Sequence, residues 1–140
     1  MDVPDEIRTQ LDIEAPIQRV WDALTTPDGL LAWFPTEGAR IDLRPGGTLS
    51  LVWADDADEG VVDAVEPPHR LVFRWRPAGS DRPHTTVAFS LEDLDGRTRL
   101  TLVESGFASL PDRMRRRSWE GNDLGWSEEL AELKTALEAA

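Results

Sequence analysis

The chain has 140 residues, no cysteine and a formal net charge of −12, from 27 acidic and 15 basic residues. That length suits one domain spanning residues 1–140, with a core of its own. The missing cysteines exclude disulfides, thiol catalysis and thiolate-held metal. The acidic surface repels phosphate backbones and disfavours nucleic acid as a partner.

Residues 7–14 (IRTQLDIE) alternate and predict a first strand. Ala15-Pro16 opens a helix, because proline suits the first helical position. Ile17, Val20, Trp21 and Leu24 follow on one apolar stripe. Thr26-Pro27 repeats the pattern, with a capping hydroxyl ahead of a short second helix, 27–32, that ends in Trp33-Phe34-Pro35.

The period then changes to two. Ile41 and Leu43 alternate, Pro45-Gly46-Gly47 turns the chain, and Leu49, Leu51 and Trp53 share the next inner face. Asp55 to Gly60 reads as an acidic loop. A third strand, 61–65, has no clear inner face: Val61, Asp63 and Val65 oppose Val62 and Ala64. Leu71, Phe73 and Trp75 form one face of the next strand, opposite Arg74 and Arg76. Val87, Phe89 and Leu91 follow, then the Asp95-Gly96 hairpin turn, then Leu100 and Leu102.

Helical period returns in Trp126, Leu130, Leu133 and Leu137, at i, i+4, i+7 and i+11. Pro111 after Ser109 suits the start of this helix. Gly121 and Gly125 weaken its middle, and are read either as a break or as room for a ligand or for close approach to the sheet. A meander of this length has one apolar face to cover, and the terminal helix is the only element large enough. The predicted class is α+β, a helix-grip. A curved antiparallel sheet of about six to seven strands wraps around a long C-terminal helix, with two short helices after the first strand.

The motifs Ala15-Pro16 with Val20-Trp21, Pro27 to Phe34, Asp42 to Gly47, Pro67 to Leu71, Glu104 to Phe107 and Gly125-Trp126 occur in order along nearly the whole chain. In combination they resemble the START-like helix-grip (SRPBCC) superfamily. The branch resembled is the bacterial proteins similar to the C-terminal domain of the activator of heat-shock protein ninety ATPase. The resemblance implies carriage of lipids, sterols or polyketides, with cyclases and a co-chaperone among the relatives, and a link to stress response.

Six tryptophans and no tyrosine supply the aromatic bulk together with four phenylalanines. The candidate ligand-binding residues are Trp33, Phe34, Trp53, Phe73, Trp75, Phe89, Leu102, Glu104, Trp126 and Leu130. The same rings serve either a solid core or a cavity wall. Trp33 and Phe34 are placed at the mouth. Glu104 continues the parity of Leu100 and Leu102, so it is expected to face inward, where a carboxylate orients a ligand's polar head. Asp42 and Arg44 read as an ion pair steadying a turn, and His69 as a turn residue. His84 lies in a loop. The cluster Arg113, Arg115, Arg116 and Arg117 reads as a solvated face. No catalytic residue, metal site or cofactor is expected, since neither a nucleophile elbow nor a histidine ligand pattern is present.

The first expectation is therefore non-catalytic binding of a small hydrophobic molecule between the sheet and the C-terminal helix. The alternative is a co-chaperone-like interaction with another protein, and the third is a polyketide cyclase-like lyase. A monomer or homodimer is expected. The first twenty residues lack the apolar stretch of a secretory leader, and no run approaches the ~20 apolar residues of a membrane helix, so a cytoplasmic location without membrane insertion is expected.

Overall fold

The computed structural model describes residues 4–34, 38–52, 57–77 and 85–139. Strand β1 (Glu6–Ile13) leads into helices α1 (Ile17–Thr25) and α2 (Pro27–Leu31). Six strands follow: β2 (Gly38–Ile41), β3 (Thr48–Val52), β4 (Ala57–Glu66), β5 (Arg70–Pro77), β6 (Thr85–Asp93) and β7 (Thr98–Ser105). A 3-10 turn at Phe107–Ser109 precedes the long helix α3 (Asp112–Glu138). The strands form one antiparallel sheet in the order β1-β7-β6-β5-β4-β3-β2. The architecture is the α+β helix-grip, with both short helices directly after the first strand.

Local chemistry explains the elements. In α1 the stripe Val20, Trp21 and Leu24 is buried. The Thr26 hydroxyl accepts from the Gly29 amide at 2.9 Å and caps α2, with proline at its first turn. In β7, Thr98, Leu100, Leu102 and Glu104 are all completely buried and alternate with half-buried residues, so period two holds to the strand's end. The ambiguous strand β4 has a register shift between Val62 and Ala64. The extra residue reverses the parity, so Val62 and Val65 both face the core despite their odd spacing. Arg44 Nε meets Asp42 Oδ2 at 2.7 Å beside the Gly46-Gly47 turn. His69 joins its turn to β6, donating its backbone amide to Glu66 and accepting from the Leu91 amide.

Helix α3 is continuous through Gly121 and Gly125, so the glycines do not break it. A Cβ at either glycine meets nothing within 4 Å, so close packing on the sheet is not their role. The buried stripe is Trp126, Leu130, Leu133 and Leu137. The helix also covers the free edge of β1. Trp119 Nε1 donates to the Glu6 carbonyl at 3.1 Å, and Lys134 Nζ to the Asp12 carbonyl at 2.7 Å. The fifteen helical residues from 119 to 134 rise about 22 Å, and the six strand residues from 6 to 12 about 20 Å. Helix and strand therefore run in the same direction in near register, and edge carbonyls that invite foreign strands are taken up within the chain. No described helix is long and apolar enough to cross a membrane.

Candidate functional site

On the inner face of the sheet, Ile7, Glu104, Val87, Phe73 and Val62 form a transverse row across β1, β7, β6, β5 and β4. All five are buried, and Glu104 is the one polar member, with 0% exposure. Sequence parity predicted that direction.

Four side chains from three elements meet its carboxylate. Trp126 Nε1 of α3 donates to Oε1 at 2.8 Å. Asn122 Nδ2, one turn earlier on the same helix, donates to Oε1 at 3.1 Å and to Oε2 at 3.0 Å. Trp75 Nε1 of β5 donates to Oε2 at 3.2 Å, and the Thr85 hydroxyl of β6 donates to the same oxygen. Every partner is neutral. Among the described residues no arginine, lysine or histidine reaches Glu104. Taking a carboxylate out of water costs several kcal/mol unless hydrogen bonds replace its hydration, and here indole, amide and hydroxyl groups do so.

Aromatic rings surround this node. Trp75 and Trp126 stack with centroids 5.6 Å apart and planes 17° apart. Phe89 meets Trp126 edge-on at 5.9 Å, Phe34 meets it at 6.0 Å, and Phe73 meets Trp75 at 5.4 Å. These rings touch one another at the seam between sheet and helix. Phe34, Phe73, Trp75, Phe89, Glu104 and Trp126 thus come together as one cluster. Leu102 and Leu130 are buried in the same core. Trp33 is buried, stacks on Phe34 at 3.9 Å, and turns its Nε1 to the Ala23 carbonyl. Trp53 and His84 lie outside the described residues.

Sequence reasoning missed Thr85 and Asn122. Thr85 shares the parity of Val87 and Phe89, and Asn122 lies four residues before Trp126 on one helix face. Either spacing was available as a signal, but polar residues at those positions are common on exposed faces.

Described residues line two cavities outside the node. One of about 740 Å³ lies on the β2–β5 part of the sheet. Most of its wall is outward-facing, including Arg40, Ser50, Val61 and Arg74, with Leu49, Gly60 and Trp75 joining from the inward-facing set. No α3 residue lines it. Half-buried Trp75 lines this space and also donates to Glu104. The other, about 310 Å³, lies between α1, α2 and α3 and includes Ala23, Trp33 and Leu133.

Three carboxyl groups elsewhere titrate unusually. Burial, then the charges of Glu128 and Glu132, push the Glu129 carboxyl up, and its Oε2 is buried without a hydrogen-bond partner. The Glu14 amide, then Lys134, holds Glu138 below its usual range. A hydrogen bond from Arg99 does the same for Asp12. In the arginine cluster, Arg115 donates to the Ala108 and Leu110 carbonyls and steadies the start of α3, while Arg116 pairs with Glu120.

The family model described as Activator of Hsp90 ATPase homolog 1-like protein matches residues 14–138. The chain belongs to this family. Among solved structures it is similar to DynU16, a protein of the dynemicin biosynthetic locus, at 27% identity and a TM-score of 0.79, covering 97% of this chain and 48% of that one. The chain thus spans about half the length of DynU16. It is similar to CalU16 from Micromonospora echinospora at 26% identity and a TM-score of 0.75, covering 94% of this chain and 75% of that one. It is also similar to the Aha1 dimer from Colwellia psychrerythraea, at 26% identity and a TM-score of 0.78, covering 95% of this chain and 96% of that one. Among curated proteins none matches the sequence.

Proposed function

We propose that this protein binds a small hydrophobic molecule at the seam between the sheet and α3, with Glu104 fixing the ligand's polar head. One observation carries the reading: a fully buried carboxylate, without a cation among the described residues, set among aromatic rings and held by donors from three elements. A purely structural seam is more simply filled with apolar side chains, since a buried charge contributes little net stability. A few polar groups converging in an apolar site are what orients a ligand. The ligand parts the Trp75–Trp126 stack, with the half-buried Trp75 as the yielding side. Candidate contacts are Phe34, Phe73, Trp75, Phe89, Leu102, Glu104, Trp126 and Leu130, with Trp33 behind Phe34 and Trp53 from the sequence pattern. Similarity to DynU16, a protein of the dynemicin biosynthetic locus, is in keeping with a small-molecule role. The reading is binding, with Glu104 held by two indoles, an amide and a hydroxyl as an orienting group.

Native mass spectrometry of the purified chain, with gentle release of bound material, tests this. A discrete released mass, or a rise in melting temperature across a panel of hydrophobic ligands, is the expected result. A clean unliganded mass with no thermal gain overturns it. The rings' mutual contact, with exposed Val52 and Val61 on the outer sheet face, then favours the second reading, an interaction module for another protein.

A further inference from the structure

We infer that the ligand's head is a protonated amine on an apolar body, and that the Glu104 node selects against anionic ligands. The inference rests on the binding reading above and specifies the ligand's chemistry.

Both oxygens of Glu104 already accept hydrogen bonds from neutral donors. An entering group displaces one of those donors only if it is a better donor. A neutral hydroxyl exchanges like for like. An ammonium replaces a neutral bond with a charge-assisted one, roughly twice as strong. It also supplies the countercharge that no described residue provides. A buried carboxylate held by neutral donors thus makes a site for an ammonium group. A carboxylate or phosphate head meets the opposite sign there, and the chain's net charge of −12 adds long-range repulsion. The replaceable donors are Asn122 and Trp75, the two half-buried partners, whereas Trp126 and Thr85 are buried.

Isothermal titration of the chain with three probes of similar shape tests the inference: 1-naphthylmethylamine, 1-naphthylmethanol and 1-naphthoate. The amine is expected to bind at least about tenfold tighter than the alcohol, one charge-assisted bond being worth that much, with naphthoate weakest. Asn122→Ala frees an acceptor site and is expected to tighten the amine while leaving the alcohol nearly unchanged. Glu104→Gln is expected to remove the preference, although the surface charge falls by only one unit. Naphthoate binding as well as the amine overturns the inference, as does a preference for amine that survives Glu104→Gln, which marks general attraction to an acidic surface. If Glu104→Gln does not fold, the Asn122→Ala response decides: no selective gain for the amine counts against the inference. If no probe binds while native mass spectrometry releases a ligand, the amine assignment fails and the binding reading stands. If neither yields a ligand, both fail.

Discussion

Trp126 Nε1 donates to Glu104 Oε1 across 2.8 Å and ties the middle of helix α3 to the end of strand β7. The bond joins the only buried carboxylate among the described residues to the ring at the centre of the aromatic cluster. Removing the acceptor leaves two indole N–H groups, an amide and a hydroxyl competing for fewer oxygens. Glu104→Gln also turns an amide N–H₂ toward those donors. We expect it to lower stability by about 1–3 kcal/mol, the cost of a buried group left unpaired, read as a lower urea midpoint with an unchanged slope. Wild-type stability in this variant means that the node is not held as described.

Glycines at two places respond in opposite ways. At Gly60 a Cβ falls 2.5 Å from the Arg74 carbonyl oxygen and 3.1 Å from the Trp75 Cβ. Gly60→Ala forces β4 away from β5 and displaces Trp75, with an expected loss of about 1–3 kcal/mol and a changed tryptophan emission.

At Gly121 and Gly125 a Cβ enters open space. Alanine there removes a helix-interior glycine without a clash, so each substitution is expected to add about 1 kcal/mol and raise the melting temperature by about 2–5 °C for a chain of this size. A loss at either position means that the helix needs its glycine for another reason.

Glu129 imposes a pH-dependent penalty. Its folded carboxyl holds its proton above the ordinary value of 4.5, so the folded state binds more protons than the unfolded. The penalty is absent below the unfolded value and grows as pH rises through the raised folded one. Glu129→Gln is expected to raise the melting temperature at neutral pH and to give no gain near pH 3. An equal gain at both pH values rules out titration as the cause.

Glu138 acts with the opposite sign. Its lowered carboxyl accepts from the Glu14 amide at 2.8 Å and pairs with Lys134 at 2.6 Å, docking the last turn of α3 beside β1. Its contribution is present above the unfolded value of 4.5 and is lost as pH falls through the folded one. The protection factor for hydrogen exchange in the last turn of α3 is expected to fall below that value in the wild type, and to be low and pH-insensitive there in Glu138→Gln.

Much of the fold was legible because alternation and helical spacing are local. Leu71, Phe73 and Trp75 face one way because successive side chains of a strand point to opposite faces. The same rule, carried two residues past Leu102, set Glu104 inward. It failed at β4, where the bulge at Val62 and Ala64 inserts a residue that no local pattern announces.

The sequence by itself determined most of the elements, their order and the inward direction of Glu104, because each follows from spacings within one segment; the acidic loop expected at 55–60 is instead strand β4 from Ala57 onward, where pairing with β3 and β5 overrides the local charge. Only the tertiary structure decided which donors meet that carboxylate. Trp75, Thr85, Asn122 and Trp126 come from three elements, and their convergence depends on sheet register and on the seating of α3 along β1. Those long-range fits are settled by packing and by the need to give a buried carboxylate its hydrogen bonds, and no single segment encodes them.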